Sequence, residues 1–224
     1  MTYSILCRDP ETGALGGAAA TGSLCVGGWV LRGAAGIGVS ASQGTAPSTL
    51  WGDAAQSRMA RGTSAEAVVS DLAAADPGAA YRQLAALDAR GRIGDFTGER
   101  SVGWAGARTA ANAVAVGNML GGPRVLEAAL EALMVRNTRL DLRLLDALAA
   151  GAQAGGDSRG LLSAALLVVR RDAAPLTLRV DHSHRPLDDL LRLHAQAMAS
   201  PYIDWLDHVP TLDQPYRRPA EEGK

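Results

Sequence analysis

The sequence predicts an α+β fold, a four-layer αββα sandwich of two antiparallel sheets flanked by helix pairs. The predicted elements run β-β-β, α-α, β-β-β, α-α, β-β, α, so strands come in hairpin groups rather than alternating with helices. The apolar run at 161–169, broken only by Ser163, suits a strand that is covered on both faces. Because aromatic residues make up only 4% of the chain, small aliphatic side chains must fill the core, which lets the layers approach closely.

Local signals place the individual elements. The first hairpin joins strands at Thr2–Arg8 and Leu15–Thr21 through a DPETG turn at 9–13, where Pro fixes φ and Gly supplies a positive φ. Strand composition and helical periodicity, with Ser, Pro or Gly at the helix ends, indicate the rest. The further predicted strands are 36–42, 82–88, 92–97, 113–116, 161–170 and 176–180, and the predicted helices are 49–61, 64–75, 123–136, 140–152 and 187–199.

The domain organisation follows from length and composition. A chain of 224 residues can bury its own core, and we expect residues 1–199 to form one domain. Residues 200–224 combine four prolines with three aromatic residues among charges, which predicts an extended C-terminal arm docked by its aromatic side chains. We also expect a homo-oligomer, because Trp29, Trp51 and Trp205 lie in segments poor in other large side chains and aromatic residues are enriched at interfaces.

Charge and composition argue against several classes of partner. The net charge is −1 and the short arginine clusters are balanced by acidic residues, so we expect no nucleic-acid partner. No apolar run approaches the roughly 20 residues that span a bilayer, so we expect no membrane partner. Two cysteines, Cys7 and Cys25, without a secretion signal predict a reduced, cytoplasmic location. No nucleotide-binding glycine motif occurs in the required context, and we expect no cofactor.

Thr2 is the principal catalytic candidate. The initiator methionine is usually removed before a small residue, and the mature chain would then begin with Thr2. An N-terminal threonine carries a hydroxyl and an α-amine, and the reference pKa of that amine, about 7.7–8.0, leaves much of it neutral near working pH. The amine can therefore accept the hydroxyl proton and activate Oγ without a histidine.

Several segments together resemble a known family. They are TYSI at 2–5, DPETG at 9–13, SQG at 42–44, GNML at 117–120, GGDSRG at 155–160 and SAA at 163–165. With these motifs, residues 2 to about 195 resemble the N-terminal nucleophile (Ntn) hydrolases and, more closely, the family called domain of unknown function 1028. The resemblance implies the αββα fold and an amidohydrolase acting on a small amide, cyclic amide or peptide-like substrate.

One departure from that superfamily concerns the residue that tunes the nucleophile. Its threonine hydrolases, such as the proteasome β-subunits, use a lysine on a neighbouring strand, whereas the single lysine here is Lys224. Arg32 could supply charge, but a guanidinium cannot act as a base. Thr2 would therefore rely on its α-amine and on hydroxyls such as Ser40 or Ser42. A catalytically inactive scaffold used for ligand binding or assembly is the alternative, and the missing lysine favours it.

Amide and hydroxyl side chains are expected to bind the substrate. Amide donors can stabilise an oxyanion, and Gln43 and Asn118 are the candidates, although both residue types also cap turns. The residues predicted to contact the substrate are Thr21, Ser42, Gln43, Asn118 and Arg159.

The segment 156–160 (GDSRG) matches the G-x-S-x-G nucleophile elbow. That motif needs a strand before Ser158 and a helix after it, and the predicted order here is the reverse. We instead predict a glycine-rich loop near the start of the first strand, where Asp157 and Ser158 hold the α-amine and Arg159 binds a substrate carboxylate. The alternative is a tight helix-to-strand loop with Asp157 and Arg159 paired at the surface.

The histidines do not indicate a metal site. His182 and His184 lie two residues apart, but no third ligand follows at a recognisable spacing, so a solvated loop is expected. His194 lies in a predicted helix and is expected to serve packing or to face solvent.

Overall fold

The computed structural model describes residues 2–135, 138–155 and 160–219. The strands are β1 (Thr2–Arg8), β2 (Leu15–Thr21), β3 (Leu31–Ala34), β4 (Gly38–Gly44), β5 (Arg82–Asp88), β6 (Ile93–Thr97), β7 (Trp104–Ala110), β8 (Ala113–Leu120), β9 (Ser163–Val169) and β10 (Leu176–Val180). The helices are α1 (Val26–Trp29), α2 (Thr49–Ala60), α3 (Ala65–Ala75), α4 (Arg124–Leu133), α5 (Leu140–Gln153), α6 (Pro186–Ala197) and α7 (Tyr202–Leu206), and a 3-10 turn covers Ala79–Tyr81.

The strands form two antiparallel sheets that pack face to face. One has six strands in the order β10-β9-β2-β1-β8-β7, and the other has four in the order β3-β4-β5-β6. Helices α4, α5 and α6 cover the outer face of the six-stranded sheet, whereas α2 and α3 cover that of the four-stranded sheet. The predicted four-layer αββα sandwich is therefore confirmed. Within the described ranges, no helix is both long and apolar enough to cross a membrane.

The central strand β1 shows how the layers are specified. Successive strand residues point to opposite faces, so Tyr3, Ile5 and Cys7 enter the core beneath the helices, whereas Leu6 enters the core between the sheets. The hydroxyl of Tyr3 donates to the Leu148 carbonyl on α5 at 2.7 Å, and complete burial raises the pKa of that hydroxyl far above its usual value. By the same alternation, Thr2 and Ser4 belong to the face that meets the second sheet.

Four elements were missed by the sequence patterns, namely α1, β3, β7 and α7. The segment from α1 to β3 is rich in glycine, whose missing side chains leave little periodicity to detect. Strand β7 lies at the edge of the six-stranded sheet and is only partly buried, so it lacks a clear apolar alternation. Strand β8 continues four residues beyond its predicted end, through Asn118, because the strand remains paired with β1 and β7 there.

The C-terminal segment differs from its prediction. It carries the short helix α7, and Tyr202, Trp205 and Tyr216 are 49%, 56% and 91% exposed, so the expected docking by these aromatic residues is wrong. Backbone and charge contacts hold part of the segment instead: Asp213 N donates to Arg171 O at 3.0 Å, and the two side chains form an ion pair at 2.8 Å. The domain boundary at residue 200 stays a prediction.

A buried hydrogen bond between an imidazole and a carboxylate links α5 to α6. His194 Nε2 lies 2.7 Å from Asp141 Oδ2, and both side chains are 6% exposed, so His194 serves packing rather than the surface. Burial alone would raise the pKa of Asp141, but hydrogen bonds from Arg139 and His194 outweigh it and hold that pKa below its usual range. The ionised carboxylate therefore stabilises the folded state.

This pair predicts a loss of stability in acid. A carboxyl whose pKa is lowered on folding contributes stability above its unfolded pKa of about 4, and the contribution disappears as the pH falls through the folded value. We expect Asp141→Asn to lower the free energy of unfolding by about 3 kcal/mol at pH 7. Between pH 5 and pH 3, the urea concentration at the unfolding midpoint should fall less for the variant than for wild type. Asp71→Asn, at an exposed pair with Arg58, is the control and should cost well under about 1 kcal/mol. Equal pH profiles for wild type and Asp141→Asn would contradict the assignment.

Candidate active site

Thr2 begins β1 between two neighbouring strands. It is opposite Thr21 of β2 on one side and Asn118 of β8 on the other. Its Oγ1 donates a hydrogen bond to Thr21 Oγ1 at 3.1 Å. The structure therefore brings together three of the predicted site residues at the end of the central strand.

Thr2 opens onto a cavity of about 510 Å³ between the ends of the two sheets, within the size range of small-molecule sites. Its lining residues from the described part of the chain share one property, the absence of a charged side chain. They are Thr2, Thr21, Ser23, Leu24, Val26, Trp29, Val30, Gln43, Gly44, Thr45, Pro47 and Met119. Thr2 therefore lies among described lining residues that carry no charge.

A buried amide network supports the first residues of β1. Gln43, on β4 of the opposite sheet, is 1% exposed, and its Nε2 donates to the carbonyl oxygen of Thr2 at 3.2 Å. The same nitrogen donates to Gln83 Oε1 at 2.7 Å, and Gln43 Oε1 accepts from Ser4 Oγ at 2.6 Å. The amide of Gln43 thus ties the backbone of Thr2 to the second sheet.

Gln83 is the residue of this network that the sequence patterns missed. It is fully buried on β5, and its Nε2 donates to Thr97 Oγ1 at 2.8 Å and to the carbonyls of Gly117 and Gly106 at 2.9 and 3.2 Å. Its Oε1 also accepts from Asn118 Nδ2 at 3.2 Å. A glutamine directly before the apolar run LAAL of this strand was the available signal, because a buried amide must find partners.

These contacts define what Gln43 and Asn118 do in the structure. Both lie directly beside Thr2, as predicted, but each amide nitrogen already donates to protein acceptors. Asn118 is 1% exposed and is not among the cavity-lining residues. The arrangement therefore suits holding Thr2 in position better than binding an oxyanion.

Ser42 is not brought to the cavity. It precedes Gln43 on β4, so its side chain points to the opposite face, where its hydroxyl donates to the Ser48 carbonyl at 2.7 Å. Arg32 is likewise held elsewhere, since its Nε pairs with Asp53 at 2.7 Å. Ser40 accepts from Gln56 on α2 at 3.3 Å. None of these three side chains lines the cavity.

Three predicted site residues, Asp157, Ser158 and Arg159, lie outside the described residues. The described residues that flank this segment on both sides lie near the strand ends that surround Thr2. Leu162 N donates to the carbonyl oxygen of Thr21 at 2.8 Å, and Gly155 O lies 3.2 Å from the position of a Cβ on Gly121, just after β8. The proposed roles of the three residues stay predictions.

Met119 was not predicted to belong to the site. It lines the cavity next to Asn118 with a φ of 59°, a left-handed conformation that is uncommon for a residue with a side chain. Its N–H donates to the Val102 carbonyl at 2.9 Å, two residues before β7 begins, and this contact helps to hold the unusual backbone. Such backbone strain is found preferentially at functional sites.

The histidine pair gives no further site. His182 and His184 pack edge to face with ring centroids 5.7 Å apart. Among the residues with described positions, no group of three or more His, Cys, Asp or Glu side chains is arranged to hold a metal ion.

Comparisons with known proteins place the chain in a family. The model of a "Family of unknown function (DUF1028)" matches residues 2–190. The crystal structure of protein SPO2555 from Silicibacter pomeroyi matches with 47% identity and a TM-score of 0.92, over 97% of this chain and 98% of that chain. HslV from Trypanosoma brucei matches with 14% identity and a TM-score of 0.46, over 75% and 99%, and Anbu (ancestral beta-subunit) from Yersinia bercovieri with 12% and 0.39, over 94% and 99%. None of the curated proteins matches.

Fold and site together define a four-layer αββα protein whose first strand begins with a threonine, beside a cavity whose described lining residues carry no charge. The chain belongs to the DUF1028 family, as its motifs predicted. Because the function of that family is unknown, the chemistry must be argued from the site itself.

Proposed function

We propose that the protein is an N-terminal-threonine amidohydrolase acting on small amides, cyclic amides or peptide-like substrates. The observation that carries the proposal is the position of Thr2, which is the first residue of the central strand and lines a cavity of about 510 Å³. Removal of Met1 would place the α-amine on the same residue. No lining residue with a described position is a histidine, lysine, aspartate or glutamate, so the α-amine is the base that this site offers.

The proposed reaction has two balanced steps. The neutral α-amine of Thr2 accepts the Oγ1 proton as Oγ1 bonds to the substrate carbonyl carbon, and the C–N bond then breaks as the proton passes to the leaving amine. Water attacks the resulting ester, gives a proton to the α-amine, and releases the acid while Thr2 regains its hydroxyl. Each step requires the hydroxyl and the amine of Thr2 to keep a fixed orientation.

The surrounding residues receive supporting roles. Gln43, Gln83 and Asn118 hold the start of β1 through the buried amide network, and Thr21 orients the hydroxyl of Thr2. We assign the oxyanion to the hydroxyl of Ser23, because Ser23 lines the cavity, whereas the hydroxyl of Thr45 already donates to the Arg100 carbonyl at 3.5 Å.

The segment at 157–159 completes the proposed site. Asp157 and Ser158 are proposed to order the α-amine, as expected from the sequence, and Arg159 to bind a carboxylate on the amine half of the substrate. A homo-oligomer also remains proposed, although Trp51 lies on the buried face of α2 and cannot take part in its interface. Of the three tryptophans named for the interface, Trp29 and Trp205 are 52% and 56% exposed and still support it.

The test is hydrolysis by protein produced without an N-terminal tag. A panel of small amides and lactams should release free amine in the presence of wild type, with an initial burst if the ester accumulates. Thr2→Ala, prepared in the same way, should release none. Equal rates for the two proteins would assign any activity to another source, and no turnover of any panel member by wild type would favour the inactive scaffold, for which the missing lysine is the supporting observation.

A further inference from the structure

The cavity beside Thr2 has a buried floor and a more exposed rim. Val26, Val30 and Gln43 are 2%, 4% and 1% exposed and form part of the floor. Leu24 and Trp29 form part of the rim and are 56% and 52% exposed. Two large apolar side chains therefore stand in solvent at the mouth of the cavity.

This composition disfavours a charged ligand group. An ionised group that enters the cavity loses hydration, and the described lining residues supply no opposite charge to replace it. Apolar groups meet the opposite situation, since Val26, Val30 and Trp29 offer them a surface. Tryptophan additionally provides a flat face against which an aromatic ring can pack.

The chemistry at Thr2 indicates which half of an amide occupies the cavity. In the proposed reaction the acyl half becomes bonded to Thr2 Oγ1 and must stay until water releases it, whereas the amine half departs after the first step. We propose that the site selects amides whose acyl group is uncharged and apolar, with an aryl or branched alkyl portion packed against Trp29 and Val30. This inference rests on the proposed function.

Binding to the Thr2→Ala protein tests this selectivity without turnover. The probes are the 4-nitroanilides of phenylacetic acid and of 4-carboxyphenylacetic acid, which differ only by one carboxylate. We expect the uncharged probe to bind at least about tenfold more tightly by titration calorimetry, because the carboxylate would be desolvated without a partner. Equal or tighter binding of the carboxylate probe would overturn the inference and would favour capture of the acid by Arg159. Binding of neither probe would also overturn it.

A matched pair of tryptophan variants locates the binding surface. Trp29 and Trp205 lie in short helices and have similar exposure, but only Trp29 lines the cavity. In the Thr2→Ala background, Trp29→Ala should weaken binding of the uncharged probe about tenfold, whereas Trp205→Ala should leave it unchanged. Equal effects of the two substitutions would contradict the placement of the acyl group.

Failure of this inference is distinguishable from failure of the proposed function. If wild type hydrolyses nothing but Thr2→Ala binds the uncharged probe selectively, the selectivity stands and the catalytic proposal fails. If wild type hydrolyses the carboxylate probe faster than the uncharged one, the catalytic proposal stands and the selectivity fails.

Discussion

Thr2→Ala is expected to lower the rate of amide hydrolysis by at least about 1,000-fold, because it removes Oγ1, the atom proposed to form the covalent bond to the substrate carbonyl carbon. Thr2→Ser keeps a hydroxyl and an α-amine, so it should retain measurable activity. The fold should tolerate both changes, since the side chain of Thr2 is only partly buried and its hydroxyl makes a hydrogen bond of only 3.1 Å to Thr21. The measurement is kcat on the best amide from the panel, with the thermal midpoint as a check on folding.

Thr45→Ala is the matched control for this experiment. Thr45 also lines the cavity with a hydroxyl, but it lies on the exposed rim and does not start a strand. Because the Thr45 hydroxyl donates to the Arg100 carbonyl at 3.5 Å, we expect Thr45→Ala to lower the rate by less than about tenfold, well short of the effect at Thr2. A Thr2→Ala protein that keeps more activity than Thr45→Ala would reject Thr2 as the nucleophile.

Gln83→Ala is expected to cost about 3–5 kcal/mol in the free energy of unfolding, the largest effect on stability that we predict. Gln83 is fully buried and bridges the two sheets, so its removal takes one hydrogen-bond partner each from Gln43, Asn118 and the Gly117 carbonyl in an interior that water cannot easily reach. Urea unfolding at neutral pH measures the cost. The surviving folded protein should also lose activity, because Gln43 would no longer be held against the Thr2 carbonyl.

Gln56→Ala provides the comparison for Gln83. Gln56 lies on α2 and makes weak contacts, with Nε2 3.4 Å from Arg32 O and 3.3 Å from Ser40 Oγ. Its Oε1 is buried without a hydrogen-bond partner among the described residues, so removing it relieves one unfavourable group. We expect Gln56→Ala to lower the free energy of unfolding by less than about 1 kcal/mol. If both substitutions lowered the free energy of unfolding by similar amounts, the amide network beneath Thr2 would contribute no particular stability.

The sequence predicted the fold best where local patterns carry the information. Strands β1, β2, β5 and β10 were predicted with the bounds that the structure shows, because clear turns limit them or their composition is strongly apolar. The four layers followed from the grouping of hairpins and helix pairs. Strand β7 escaped detection because an edge strand with partial burial has no regular alternation, and α1 escaped because four residues carry no period.

The site was predicted less completely, and for a different reason. Thr2, Thr21, Gln43 and Asn118 do come together, but the bond partners of the amides depend on how the two sheets face each other. Gln83 is 40 residues from Gln43 in sequence and contacts it only across neighbouring strands. Ser42 was misplaced for the same reason, since one step along a strand reverses the face.

The mass of the untagged protein, combined with its activity, tests the central claim most directly. The account predicts a mass that lacks Met1, active protein, and loss of activity by about 1,000-fold or more when a lysine inserted between Met1 and Thr2 blocks removal of the methionine. An active protein whose mass includes Met1, or full activity after the insertion, would contradict the account, because the α-amine of Thr2 would not then be free to act as the base.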